Sequence, residues 1–168
     1  YRLIRKQSWS YTLAGVLLVA VAISLTLLTQ NAINYFIPAL ITSALLVLVS
    51  LISLLIGKPL AAWASHLTRG WPLAWFWRKD ILPAYREVTI AWAVFFLSRL
   101  TLQLTLFFRG QIGMLAWMES LLGWPITLLV LVGSYVYGIW RLRHLGGPGV
   151  DEFIAGTKAP WKGQTRGF

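Results

Sequence analysis

Long apolar stretches alternate with short basic connections along the whole chain. A hydrocarbon core about 30 Å thick needs about 20 helical residues, because each residue advances an α-helix by about 1.5 Å. Stretches of that length run over about 11–28, 36–56, 88–108 and 124–140. The pattern predicts an all-α polytopic membrane helix bundle with four transmembrane helices in this chain, joined by short interfacial helices.

The segment before the fourth stretch contains several helix-breaking residues. Gly110, Gly113 and Gly123 interrupt it, and Pro125 follows. We therefore favour a fourth span that begins at Trp124, with 114–122 forming a short helix along the membrane surface. Glu119 would then lie on the side of the membrane that carries few basic residues. The alternative is a span that begins as early as Met114, with Pro125 only kinking the helix.

Basic residues are strongly concentrated in one set of connections. The 15 Lys and Arg include only Arg99 and Arg109 outside this set. Its members are Arg2, Arg5, Lys6, Lys58, Arg69, Arg78, Lys79, Arg86, Arg141, Arg143, Lys158, Lys162 and Arg166. By the positive-inside rule, this asymmetry predicts a multi-pass protein with both ends of the chain in the cytoplasm.

Composition excludes several classes of protein. With 58% hydrophobic and 12% charged residues, the chain does not fit a soluble domain. The net charge of +10 is explained by orientation and by contact with anionic lipids, so no nucleic-acid partner is expected. The absence of cysteine and the presence of only 2 His and 5 acidic residues give no catalytic or metal-binding pattern. We expect a protein without enzyme activity, metal or cofactor.

The connection 57–87 is unusually aromatic for a solvated loop. It is predicted to lie in the lipid headgroup layer or against a partner, and packing on a neighbouring part of the chain is the alternative. The residues assigned to this surface are Lys58, Trp63, Arg69, Trp71, Trp75, Trp77, Arg78 and Lys79.

The domain organisation follows from where the apolar pattern ends. Residues 1–145 are predicted to form the transmembrane bundle, and 146–168 a cytoplasmic tail rich in Gly and Pro. Within this tail, Trp161 and Phe168 are candidates for docking on a surface, although a frayed tail is the simpler interpretation.

Arg99 is the residue that most needs a partner. It lies 11 positions after Val88 and 9 before Phe108, near the predicted membrane midplane, where a cation costs at least about 2.5–3.5 kcal/mol. Gln103 shares its helix face one turn later, and Trp92 lies two turns earlier. Its partner could be helix-end carbonyls or hydroxyls, a carboxylate on another subunit or on an upstream segment, or an anionic substrate or lipid phosphate.

Small residues mark two predicted helix-packing faces. Ser43 and Ser50 lie on one face of the second span, and Ser134 and Gly138 have small-xxx-small spacing in the fourth. Such residues let two helix backbones approach closely.

Several strings resemble a known family. They are YFIP at 35–38, IGKPL at 56–60, AWA and FFL before Arg99, LGWP at 122–125, and APWKGQ with RGF in the tail. Together they resemble an actinobacterial integral membrane family, the domain of unknown function 3159, with a weaker similarity to the bacterial septation protein A family. The resemblance implies a bacterial cytoplasmic membrane protein with one or two further spans before Tyr1.

Three functions are consistent with these features. The midplane cation, the aromatic loop and the tail favour a non-catalytic structural or accessory subunit of a larger membrane complex, a hetero- or homo-oligomer. The alternatives are a small carrier or channel for an ion or anionic solute that uses Arg99, and an anionic-lipid-binding membrane protein.

Overall fold

The computed structural model describes residues 9–168. Its α-helices are α1 (Trp9–Thr29), α2 (Ile37–Leu55), α3 (Leu60–Arg69), α4 (Leu73–Phe76), α5 (Leu82–Phe108), α6 (Ile112–Leu122), α7 (Trp124–Leu145) and α8 (Val150–Ile154), with a 3₁₀ helix at Ala32–Phe36. The all-α prediction is confirmed. Arg2, Arg5 and Lys6 lie outside the described residues.

Within residues 9–168, three segments are long and apolar enough to cross a membrane. They are Ala32–Leu55, Leu82–Phe108 and Ile112–Leu145, and Gly15–Thr29 in α1 is a shorter apolar helix. We name the end of the bundle where α2 and α7 finish and α5 starts the basic end. The opposite end holds the 3₁₀ helix and the turn between α5 and α6.

The short helix predicted over 114–122 is confirmed as α6, but its predicted course along the membrane surface is wrong. This segment belongs to α6, which runs antiparallel beside the last turns of α5 instead of lying across the end of the bundle. Leu115 of α6 is completely buried and packs with Phe107 of α5 and with Ile33 and Phe36 of the 3₁₀ helix. By length and hydropathy, α6 and α7 together form one candidate span, Ile112–Leu145, with a break at Gly123.

Helix α2 packs against α5 through a face of small residues. Ser43, Val47, Ser50 and Ser53 are all buried, and they recur at the three- and four-residue spacing of one helix face. The Ser53 hydroxyl also accepts a hydrogen bond from the Leu60 amide at 3.0 Å. Since Leu60 opens α3, the same face that packs on α5 also fixes where α3 begins.

A compact cap covers the basic end. Its core is the ring cluster, which consists of Trp71, Trp75, Phe76, Tyr85 and Phe168. Trp75, Phe76 and Tyr85 are fully buried, and their neighbouring ring centroids lie 5.0 to 6.1 Å apart in edge-to-face geometry. Edge-to-face pairs place the positive ring edge on the negative face, which stabilises such clusters beyond simple burial.

The tail folds back into this cap. Phe168 stacks on Tyr85 with ring centroids 4.3 Å apart, and its ring fills the space beside Gly138, where a Cβ atom would overlap it. The absence of a side chain at 138 therefore makes room for the Phe168 ring, and the role of Gly138 in packing against another helix stays a prediction. Gln164 is buried and accepts a hydrogen bond from the Val150 amide at 3.1 Å.

Glu152 connects the two halves of the tail. Its carboxylate accepts hydrogen bonds from the backbone amides of Gly149 at 2.8 Å, Lys162 at 2.8 Å and Gly163 at 3.1 Å. These backbone hydrogen bonds hold the pKa of Glu152 below its ordinary value of 4.5, because they favour the charged form. The ionised carboxylate therefore stabilises the docked tail.

The position of the tail should depend on pH in the acid range. A lowered folded pKa means that the stabilisation is present above about pH 4.5 and is lost as the pH falls through the lower folded value. A spin label on Thr165→Cys, in a chain without native cysteine, should stay immobile from pH 7 to 5 and gain mobility at lower pH. Asp151→Asn, which removes the exposed pair with Arg166, is the control and should keep this transition. An unchanged transition in Glu152→Gln would contradict the assignment.

Candidate functional site

A partly buried ion pair joins α5 to α6. Arg99 Nη2 lies 2.7 Å from Glu119 Oε2, and the two side chains are only 18% and 20% exposed. Arg99 follows the α5 start at Leu82 by about 26 Å and precedes its end by about 14 Å, at about 1.5 Å per residue. The pair therefore lies well inside an apolar helix rather than at its tip.

Gln103 shares the same carboxylate. It is completely buried, and its Nε2 donates a short hydrogen bond to Glu119 Oε1. Glu119 thus receives one donor on each oxygen, from residues one helical turn apart on α5. We call Arg99, Gln103 and Glu119 the polar triad.

The break between α6 and α7 supplies a further partner. The carbonyl of Leu122, the last residue of α6, accepts from Arg99 Nη1 at 3.3 Å and from the Thr127 hydroxyl at 3.2 Å. Gly123 separates the two helices with ψ −117°, outside the helical range. Because of the break, the Leu122 carbonyl accepts no backbone N–H from the next helical turn, and the Arg99 guanidinium donates to it instead.

A cavity of about 300 Å³ reaches Arg99 from the other side of α5. Its lining includes Val19, Ala22, Tyr35, Pro38, Ala39, Thr42, Ser43 and Leu46, from α1, the 3₁₀ helix and α2. Among the described residues of this lining, Arg99 carries the charge. Arg99 Nε is buried and has no hydrogen-bond partner within residues 9–168. Arg99 therefore lies between an internal carboxylate and a cavity.

Two further contacts join α5 to α7, nearer the basic end. Trp92 Nε1 donates to the Ser134 hydroxyl at 2.8 Å. Arg141 donates to both oxygens of Glu87, at 2.8 and 2.9 Å. With the polar triad, these contacts form a ladder that fixes the register of α5 against α6 and α7.

Arg99 has partners within the chain. Glu119 provides the carboxylate, so a carboxylate on another subunit is not needed, and a helix-end carbonyl adds a second contact. The placement of Glu119 away from Arg99 was wrong because α6 was expected at the surface. Gln103 lies beside Arg99 as predicted, but it bonds to Glu119.

The sequence did contain a signal for this triad. Folding the chain about the turn at 109–111 places Gln103 opposite Glu119 and Arg99 opposite Leu122. Glu119 is also the sole acidic residue between Glu87 and Asp151. An isolated acid and an isolated base at matching distances from a helical turn indicate an antiparallel pair.

The aromatic surface predicted for the 57–87 connection is only partly exposed. Trp71 and Trp75 are buried in the ring cluster, and Trp75 Nε1 donates to the Pro148 carbonyl at 2.9 Å. Their assignment to a lipid or partner surface is wrong, because the chain's own tail and helices cover them. Trp63 and Trp77 are half-buried, with ring centroids 5.9 Å apart.

The basic residues of that surface are also of two kinds: some are exposed, and others contact groups of the same chain. Lys58 and Lys79 are exposed, and Lys58 Nζ lies 5.9 Å from the Trp77 ring. Arg78 pairs with Asp80 at 2.7 Å and lies 5.2 Å from the Trp161 ring. Trp161 therefore contacts the chain's own cap through Arg78, as Phe168 does through Tyr85.

The chain belongs to the family described as protein of unknown function (DUF3159), which it matches over residues 1–142. Membership in this family was predicted from the sequence and is confirmed. The tail strings at 159–168 lie beyond the matched residues, so they do not contribute to the match. No curated protein and no solved structure matches the chain. The similarity to the septation protein A family stays a prediction.

Loss of Glu119 should destabilise the bundle strongly. Glu119→Ala leaves Arg99 charged and half-satisfied in an apolar region, which typically costs about 3–5 kcal/mol. The double variant Arg99→Met with Glu119→Leu should cost much less than the sum of the single changes. Thermal unfolding in detergent, followed by circular dichroism, measures this. Ser120→Ala, at an exposed neighbour on α6, is the control, and additive effects would contradict a coupled pair.

Proposed function

We propose that this chain is part of a small carrier for an anionic solute in the bacterial cytoplasmic membrane, with Arg99 as the group that meets the solute. One observation carries the proposal: Arg99 lies between the carboxylate of Glu119 and a cavity of about 300 Å³. A purely structural cation has no need of such a cavity. A carrier needs a charged group that a solute can reach and that has a second partner when the solute leaves.

The helix break supports the same function. Transporters often bind solutes where a membrane helix is interrupted, because the ends of the half-helices offer free backbone groups. Here the break at Gly123 lies beside Arg99, and Leu122 O accepts from it. An anion entering the cavity would take the place of Glu119 or Leu122 O at the guanidinium, while Gln103 keeps Glu119 in position.

The accessory-subunit hypothesis is the second candidate. The three sequence features that favoured it, the midplane cation, the aromatic loop and the tail, all have contacts within the chain. Glu119 pairs with Arg99, the ring cluster lies in the chain's own core, and the tail docks on its own cap. What still favours assembly is a line of exposed hydroxyls on α5. Ser98, Thr101 and Thr105 are exposed there, and such residues support contacts between membrane helices.

For the bundle as a whole, we propose four spans in this chain with the basic end in the cytoplasm. The lengths of the three candidate spans and of α1 support this number, and the positive-inside rule supports the orientation. The cap and tail would then lie on the cytoplasmic side, at the level of the lipid headgroups. Exposed Lys58 and Lys79 there are suited to anionic lipids.

The orientation can be tested with single cysteines, because the native chain has none. Lys79→Cys lies in the basic end, and Gln111→Cys lies in the turn at the opposite end; both positions are exposed. In intact bacterial cells, a membrane-impermeant maleimide should label position 111 at once and position 79 only after permeabilisation. The reverse pattern would exclude the proposed orientation.

Transport can be tested in proteoliposomes with radiolabelled chloride, phosphate and succinate. We expect uptake of at least one of them, reduced about tenfold or more by Arg99→Ala, since truncating one member of a buried charged pair costs about 2–5 kcal/mol. Arg99→Lys keeps the charge without the forked geometry and should be intermediate. Ser98→Ala, one position away on the exposed face of α5, is the matched control.

Two results would count against the carrier. One is a full rate in an Arg99→Ala protein that is still folded and inserted. The other is a lack of uptake with every probe together with purification as a stable oligomer in mild detergent. The second result would favour the accessory subunit, and loss of the oligomer in a Ser98→Leu, Thr101→Leu double variant would then identify the contact face.

A further inference from the structure

Arg69 is a half-buried cation at the basic end. It is the last residue of α3, and its guanidinium carbon lies 4.7 Å from the Trp71 ring and 5.7 Å from the Tyr135 ring. Its Nη1 donates to the backbone carbonyl of Arg166 at 2.9 Å. Rings on two sides and a neutral carbonyl hold this charge, but none of them neutralises it.

No acidic side chain forms an ion pair with Arg69 within residues 9–168. All 5 acidic residues of the sequence have other contacts in the structure. Four of them form the pairs Arg78–Asp80, Arg141–Glu87, Arg99–Glu119 and Arg166–Asp151, and Glu152 accepts from backbone amides. A guanidinium has five N–H donors, and Arg69 has most of them available for a ligand.

A cavity of about 210 Å³ opens beside Arg69. Its lining comes from α3, α5, α7 and the tail, and includes Ala61, Ala64, Ser65, Thr68, Trp92, Leu131, Ser134, Tyr135 and Phe168. Ser65 is only 8% exposed, and its hydroxyl lies beside the buried hydroxyl of Tyr85, which is close to Arg69. Apart from each other, the two hydroxyls have no hydrogen-bond partner within residues 9–168.

Buried polar groups without partners are rare in folded proteins, because each costs about 1–3 kcal/mol. Two hydroxyls that bond only to each other leave one O–H without an acceptor, and Ser65 lines the cavity beside Arg69. A group that accepts several hydrogen bonds and carries negative charge would satisfy this O–H and Arg69 together. Water could satisfy the hydroxyls, but it would leave the charge of Arg69 uncompensated.

We propose that Arg69 and Ser65, with Tyr85 behind them, bind the phosphate group of a ligand in this cavity. The guanidinium fork matches two phosphate oxygens, and a third oxygen can accept from Ser65. The apolar part of the lining, such as Ala61 and Leu131, leaves room for carbon atoms attached to the phosphate. The group can belong to a lipid headgroup or to free phosphate. This site is independent of the proposed carrier function of Arg99.

The tail closes this site. Phe168 lies in the cavity lining, and Arg166 offers its carbonyl to the same guanidinium that would hold the phosphate. A bound ligand would therefore contact the tail directly. Removal of the Phe168 ring should open the cavity and speed ligand exchange.

The test uses the full chain in nanodiscs, with thermal unfolding as the readout, because a ligand that binds the folded state raises the unfolding temperature. In one arm, inorganic phosphate is titrated into phosphatidylcholine nanodiscs. In the other, phosphatidylglycerol replaces part of the phosphatidylcholine. We expect a rise in at least one arm. A rise with phosphate identifies a soluble ligand, and a rise only with phosphatidylglycerol identifies a lipid headgroup.

Variants separate this site from general charge effects. Arg69→Ala and Ser65→Ala should each weaken binding about tenfold or more, the usual effect of losing a hydrogen bond to a charged group. Ser65→Ala should change the stability without ligand only slightly, because one buried O–H lacks an acceptor both before and after the change. Arg86→Ala, an exposed basic residue of the same end, is the control and should bind normally.

The proposal is overturned by either of two results. The first is a wild-type unfolding temperature that neither phosphate nor phosphatidylglycerol raises. The second is a rise that persists unchanged in Ser65→Ala, and in Arg69→Ala where that variant folds. Because Ser65→Ala should fold even if Arg69→Ala does not, the site remains testable.

Discussion

The pairing of Arg99 with Glu119 constrains where α5, α6 and α7 can lie. A guanidinium so far inside an apolar helix must be matched by a carboxylate at the same depth, because leaving either charge alone costs several kcal/mol. Only an antiparallel α6 brings Glu119 to that depth. The position of α6, the break at Gly123 and the start of α7 all follow from this one requirement.

The break at Gly123 in turn has two effects. It frees the Leu122 carbonyl for Arg99, and it separates α6 from α7. The same interruption thus completes the partners of Arg99 and marks the start of the helix that runs to the basic end. There, the contacts of Trp92 with Ser134 and of Glu87 with Arg141 keep α5 and α7 in register.

Much of the fold could be predicted because span length and basic loops are local properties of the sequence. The apolar runs give helices in the expected places, and α7 begins at Trp124 as predicted. Local properties of the sequence do not reveal which distant residue contacts each buried side chain. Trp75 looks like an interfacial ring until Pro148, 73 positions later, provides the acceptor for its indole N–H.

The candidate site shows the same limit more sharply. Arg99 and Gln103 were identified because a cation in an apolar run stands out, but Glu119 was placed at a surface because glycines surround its helix. Glycine weakens a helix in water, whereas in an apolar bundle the packing of Leu115 and the charge of Arg99 outweigh that weakness. Local propensity therefore gave the wrong location for the one residue that completes the triad.

The place of Phe168 in the ring cluster also has a consequence for biosynthesis. The ribosome makes the chain from its N-terminus, so Trp75 and Tyr85 emerge long before the residue that stacks on Tyr85. Until residue 168 has been made, the aromatic core of the cap stays open on the side next to Gly138. This core is therefore completed only after α5, α6 and α7 have all been synthesised.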